Sequence, residues 1–115
     1  NMITIYHNPR CTKSREGLCE IENLNQPFEI RKYLDEPFTE KELKEVIKKL
    51  NIKPLELVRT KESIWIENYK NKSLTDEAII QAIVTHPILI ERPIVIKGGK
   101  AIIGRIPEEV AQFIK

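Results

Sequence analysis

The spacing of apolar and polar positions changes several times along the chain, and each change marks an element. Ile3 to Tyr6 is a β-branched and aromatic run that stops at Asn8-Pro9, which predicts a short strand. The period then lengthens. Leu18, Ile21 and Leu24 share one helical face, so a helix is expected from about Thr12 to Asn23, broken by Gln26-Pro27. Phe28 to Tyr33 alternates, with Phe28, Ile30 and Lys32 on one side of a half-exposed strand.

The middle of the chain reads as helical. Thr39 and Glu42 have the spacing of a capping box, and Phe38 with Leu43 the spacing of a hydrophobic staple. Leu43, Val46, Ile47 and Leu50 then form one apolar stripe. Pro54 to about Arg59 is expected as a short helix or turn at the surface. Leu74 and Ile79 flank the N-cap Thr75 of a further helix, which runs to about Thr85 and ends at His86-Pro87.

Near the end, the apolar runs Pro93 to Lys97 and Ala101 to Gly104 flank Gly98-Gly99, the turn dipeptide of a tight hairpin. Pro107 suits the first position of a last helix, whose apolar face is Val110, Phe113 and Ile114. The order is β-α-β, then helices, then a β-hairpin and a helix. A β-α-β unit implies parallel strands joined by a right-handed crossover, and the hairpin adds an antiparallel pair. The expected fold is α/β and thioredoxin-like: a four-stranded mixed sheet with helices on both faces. It forms one domain over residues 2–115, with a helical insertion at about 39–86. Asn1, ahead of Met2, is read as an expression-vector residue and set aside.

Composition narrows the function. A chain of 115 residues with 41% apolar content is long enough for one domain with its own core. Charged residues of both signs are mixed, and the net charge of +2 argues against a dedicated nucleic-acid binder. No apolar run nears the roughly 20 residues of a membrane span. No leader is apparent, so the cytoplasm is the expected location. The two cysteines then sit in a reducing compartment, as catalysts, metal ligands or inert core thiols. Only His7 and His86 accompany them, with no CxxC or HxxxH spacing, so no metal site is expected.

Cys11 falls at the N-terminus of the first helix, after a proline turn. Unpaired backbone N–H groups and the helix dipole favour a thiolate there. Arg10, Lys13 and Arg15 add positive charge, and His7 would help if protonated. A small buried hydrophobe is the usual role of a free cysteine. The loop position and the basic neighbours favour a nucleophile instead. The same spot suits an oxyanion, yet an anion and a thiolate repel each other. The functional reading therefore requires more arginines from elsewhere in the chain. Cys19 lies two helical turns on, roughly 12 Å away, too far for a disulfide with Cys11. It is expected as a core or rim thiol.

These residues resemble a known family. "YHNPRCTKSR" has the full opening pattern of the glutaredoxin-linked arsenate reductases, which are thioredoxin-fold enzymes. "HPILIERPIVI" is similar to their second signature, and "GR" followed shortly by proline to their third. The resemblance covers nearly the whole chain. It implies that Cys11 attacks an oxyanion held by Arg59 in "ELVRT", Arg92 in "ERPIV" and Arg105 in "IIGRIP". It implies that His7 and Asn8 tune the thiolate and shape the loop, and that the Arg92-Pro93 bond is cis. Ser14 stands where a CxxC pair would have its second cysteine. Two features depart from the pattern: Ile106 separates Arg105 from Pro107, and "VRTKESIW" is as similar to the related Spx-type regulators as to the reductases.

The resemblance implies reduction of arsenate to arsenite, an arsenic-resistance activity. Glutathione is the co-substrate and glutaredoxin the protein partner, with no bound cofactor, no membrane and no nucleic acid, in a monomer. Outside thiols supply the electrons because Ser14 cannot close a disulfide. The alternatives are an Spx-type regulator or adaptor without catalysis, and a general glutathione-dependent thiol-disulfide reductase. Arg105 and the absence of CxxC favour the enzyme over the regulator.

Overall fold

Four strands, β1 (Ile3–Tyr6), β2 (Phe28–Arg31), β3 (Ile94–Lys97) and β4 (Lys100–Ile103), form one mixed sheet in the order β2-β1-β3-β4. They come from a computed structural model that describes residues 2–115; the reading of Asn1 lies outside these. β1 pairs parallel with β2 and antiparallel with β3, and β3 pairs antiparallel with β4. Lys97 pairs with Lys100, so Gly98-Gly99 is a two-residue turn. Gly98 has φ 64°, a backbone state that suits glycine. This is the α/β, thioredoxin-like architecture expected from the order of elements.

The chain divides into two compact units. One runs from the N-terminus to Glu36 and from Arg92 to Lys115; the other is Pro37–Glu91. In the first, helix α1 (Thr12–Asn23) connects β1 to β2, and helix α5 (Pro107–Ile114) ends the chain. Ile3, Ile5, Ile21, Val95, Val110 and Ile114 are fully buried together, with Leu18, Leu24, Phe28, Ile102 and Phe113 packed around them. Each such side chain contributes about 1.5–3 kcal/mol on burial, so this cluster holds α1 and α5 to the sheet. Lys97 donates from Nζ to the carbonyl of Ile114 at 2.8 Å, placing a cation at the C-terminal end of α5.

The second unit contains α2 (Glu40–Leu50), a 3₁₀ turn (Pro54–Leu57), α3 (Ser63–Asn68), α4 (Asp76–Thr85) and a second 3₁₀ turn (Pro87–Leu89). The Thr39–Glu42 capping box is present in both directions, at 3.1 and 3.0 Å. Thr75 caps α4 by accepting from Ala78 N–H at 3.1 Å. Leu43, Val46 and Ile47 form the buried stripe of α2, and Ile79, Ile80, Ala82 and Ile83 that of α4.

Three local expectations need correction. β2 ends at Arg31, because the Lys32 carbonyl accepts from Asp35 and Glu36 N–H and turns the chain. Ile30 is 45% exposed, since β2 is an edge strand and only Phe28 reaches the core. The segment from Pro54 is a short 3₁₀ helix as expected, but only Leu55 and Glu56 face outward: Pro54, Leu57 and Val58 are buried, and Val58 pairs with Ile90 in an isolated bridge. Helix α3 has no counterpart in the expected elements; at six residues it is too short for its period to show.

Candidate active site

The site begins where β1 runs out. His7 N–H still donates to the Arg31 carbonyl at 2.8 Å, as one more rung toward β2. The chain then turns tightly. Asn8 O accepts from Cys11 N–H at 3.0 Å, and Asn8 Oδ1 accepts from Arg10 N–H at 3.0 Å, an Asx turn. Cys11 is the N-cap of α1, with extended φ −98° and ψ 123°. Arg15 reaches back over this turn, with Nη1 donating to Pro9 O at 2.8 Å and Nη2 to Thr12 Oγ1 at 3.2 Å. Ser14 is fully buried. Its Oγ accepts from Asn8 N–H at 3.0 Å and lies 2.6 Å from Nδ1 of His7.

Sheet register brings a second segment to the same end. Tyr6 pairs with Ile94, and Ile94 with Ile103, so the end of β1 lies beside the start of β3 and the end of β4. Gly104 N–H donates to Pro93 O at 2.7 Å, extending the β3–β4 ladder by one step. Arg92 and Arg105 are the residues on either side of this last rung. The Arg92-Pro93 bond is cis. Pro93 fits closely here: a Cβ on Gly17 would stand 2.9 Å from Pro93 Cγ, and one on Gly104 would stand 2.5 Å from Val110 Cγ2.

Cys11 is half-buried. Burial alone pushes its thiol up. The Arg92 guanidinium beside the sulfur and the backbone N–H groups of Ser14 and Lys13 pull it down, and the net effect is below the ordinary thiol range. The thiol makes no capping hydrogen bond of ordinary geometry to its own helix. The N–H groups therefore act by favouring the thiolate. The cations next to Cys11 in sequence act differently from Arg92: Arg10 and Lys13 are exposed, and Arg15 is occupied with Pro9 and Thr12.

Arg92 is the group with unfinished bonding. Burial lowers its basicity, but its contacts with Cys11 and Tyr33 outweigh that and hold it charged. Its Nε and Nη1 are buried with no hydrogen-bond partner among the described residues. Such buried donors are rare in a folded protein, and these two are able to bond an acceptor beside the thiol. His7 is held below the ordinary histidine range by burial first, then by the charges of Lys32 and Arg15. It is therefore neutral near pH 7. Its neutral form is thereby favoured over a protonated one beside the thiolate, and its link to the loop is the Ser14 hydroxyl.

The remaining candidates are placed as follows. Arg105 is exposed, just past β4. Arg59 lies in the second unit. Its Nε donates to Glu62 Oε2 at 3.1 Å, and Nη1 lies 4.0 Å from Glu91 Oε1. Cys19 is exposed on α1, so it is a rim thiol and not a core one. Residues not singled out from the sequence also matter. Tyr33, fully buried, contacts Arg92, and Glu62 and Glu91 hold Arg59. Nothing in their spacing marks them. Among the described residues, no group of three or more His, Cys, Asp or Glu side chains is arranged to hold a metal. No described helix is long and apolar enough to cross a membrane.

Comparison with known proteins gives a consistent result. Residues 6–113 match the profile of the ArsC family. The chain is 44% identical over 115 residues to an arsenate reductase of Haemophilus influenzae, covering 97% of this chain and 98% of that one. It is equally similar, 44% over 114 residues, to an uncharacterized protein of Escherichia coli named YfgD, covering 97% and 96%. Among solved structures, an arsenate reductase from Vibrio cholerae superposes with a TM-score of 0.92 at 40% identity, covering 96% of each chain.

Proposed function

This chain belongs to the ArsC family, and on that premise we propose that it reduces arsenate to arsenite through Cys11. The Cys11 thiolate attacks arsenic(V), and one arsenate oxygen leaves as water after protonation. No electrons move in that step. Two outside thiols then supply two electrons, leaving as one disulfide, and arsenic departs as arsenite. Glutathione serves as the small thiol and glutaredoxin as the protein that accepts the glutathione disulfide. No resident cofactor takes part. The protein acts as a monomer in the reducing cytoplasm.

In this reading Arg92 both favours the thiolate and offers hydrogen bonds to the oxyanion. Arg59 and Arg105 supply further guanidinium groups. A guanidinium suits a tetrahedral oxyanion because its planar fork donates two hydrogen bonds and never loses its charge. Donors already aimed at the reacting centre stabilise charge as it develops there. The observation that carries the proposal is a buried Arg92 guanidinium that lowers the Cys11 thiol while its own Nε and Nη1 have no partner among the described residues.

The test is arsenate-dependent NADPH oxidation in a mixture of glutathione, glutaredoxin and glutathione reductase, with wild type and Cys11→Ser side by side. Activity in wild type alone supports the proposal. Equal background rates in both would remove it. Replacing glutaredoxin with thioredoxin in the same assay identifies the reductant.

A further inference from the structure

Arg59 is placed by the backbone before its side chain acts. Val58 pairs with Ile90 in an antiparallel bridge. Arg59 N–H donates to Leu89 O at 2.7 Å, and Glu91 N–H donates to Leu57 O at 2.8 Å. The Arg59 carbonyl accepts from Glu62 N–H at 3.1 Å, and Glu62 is the N-cap of α3. Two chain segments and one turn thus fix Arg59, Glu62 and Glu91 relative to one another.

The side chains use that placement. Arg59 Nε donates to Glu62 Oε2, and Nη1 stands at ion-pair distance from Glu91 Oε1. The three side chains are only 31%, 25% and 24% exposed, so water screens them less than an ordinary surface pair. A guanidinium meets an oxyanion either side-on, through Nε and one Nη, or end-on, through both Nη groups. Glu62 occupies Nε, which closes the side-on fork. Among the described residues Nη2 makes no hydrogen bond, so the end-on fork is the open one.

We propose that Glu62 and Glu91 are positioning residues that hold Arg59 in one orientation and leave its end-on fork open for an oxyanion. This rests on the reductase reading, in which Arg59 serves the anion. Two opposing effects follow. Fixing a long, rotamer-rich side chain in advance strengthens anion binding, because that ordering is not left to the binding step. A carboxylate near a bound anion weakens it by repulsion. Variants at Glu62 separate the two. Glu62→Gln removes the charge but keeps an oxygen acceptor for Nε. Glu62→Ala removes both.

The experiment measures KM and kcat for arsenate in wild type, Arg59→Gln, Glu62→Gln and Glu62→Ala. In parallel, arsenate protection of Cys11 against iodoacetamide reads binding without turnover. Arg59→Gln is expected to raise KM about tenfold, and Glu62→Ala about fivefold with kcat changed less than about twofold. Glu62→Gln is expected at or slightly below the wild-type KM. Glu62→Leu, which keeps volume without an acceptor, replaces Glu62→Ala if that variant is unstable. A wild-type or lower KM in Glu62→Ala overturns the inference, since the carboxylate then only competes with the anion. If Arg59→Gln leaves KM unchanged in an enzyme that reduces arsenate, the reductase reading stands and this inference falls. If wild type does not reduce arsenate, the reductase reading falls, and the same order of variants in the protection assay decides this one.

Discussion

The hydroxyl of Ser14 lies 2.6 Å from Nδ1 of His7 and 3.0 Å from the backbone nitrogen of Asn8, and all three residues are buried. Ser14 accepts from Asn8 N–H and shares a hydrogen bond with the imidazole. One side chain thus ties the end of β1 to the first turn of α1, on either side of Cys11. Its own N–H faces the sulfur. The serine three residues after the cysteine is therefore a structural clasp for the nucleophile's loop.

Ser14→Ala leaves a buried N–H on Asn8 and a buried imidazole nitrogen on His7 without their partner. Each such loss costs about 1–3 kcal/mol. The variant is expected to unfold at clearly lower denaturant with an unchanged slope, which urea titration followed by circular dichroism reads directly. Unchanged stability would show that water replaces the hydroxyl.

His7 sets a pH dependence. The fold holds it below the ordinary histidine range, so the unfolded chain takes a proton more readily than the folded one. This contribution to stability is complete above the unfolded value near 6.5 and is lost as pH falls through the lower folded value. Wild type is expected to lose stability more steeply than His7→Gln as pH falls below about 6.5. Parallel curves for the two proteins would contradict it.

Gly104→Ala probes the close approach of the β4 end to α5, next to Arg105. Its Cβ would meet Val110 Cγ2 at 2.5 Å, a distance that forces movement in a fully buried residue of α5. Overpacking of this kind costs about 1–3 kcal/mol. The variant is expected to show that loss in thermal unfolding, with a raised KM for arsenate from the shifted β3–β4 end. Wild-type values for both would show that α5 yields freely.

Much of this was legible in the chain where local chemistry decides. Ile3–Tyr6 and Thr12–Asn23 have the bounds their patterns imply, because asparagine, proline and an apolar period mark their ends. The Thr39 box and the Gly98-Gly99 turn are short-range devices of the same kind. What needs long-range contact was less visible. Lys13 and Arg10 are the cations beside Cys11 in sequence, yet the guanidinium that lowers its thiol is that of Arg92, just ahead of β3, the strand that pairs with β1. Val58 reads as surface until Ile90 pairs with it. The carboxylates on Arg59 come from a turn and from a distant segment, and neither has a sequence signal.

The most direct test follows iodoacetamide alkylation of Cys11 across pH in wild type and in Arg92→Met, each in a Cys19→Ser background. Alkylation rate tracks the thiolate. Wild type should show its inflection below the ordinary thiol range of about 8.5, and loss of the Arg92 guanidinium should move it upward while the protein stays folded. An ordinary inflection in wild type, or one that Arg92→Met leaves in place, would mean that Cys11 is no activated nucleophile and that Arg92 does not serve it.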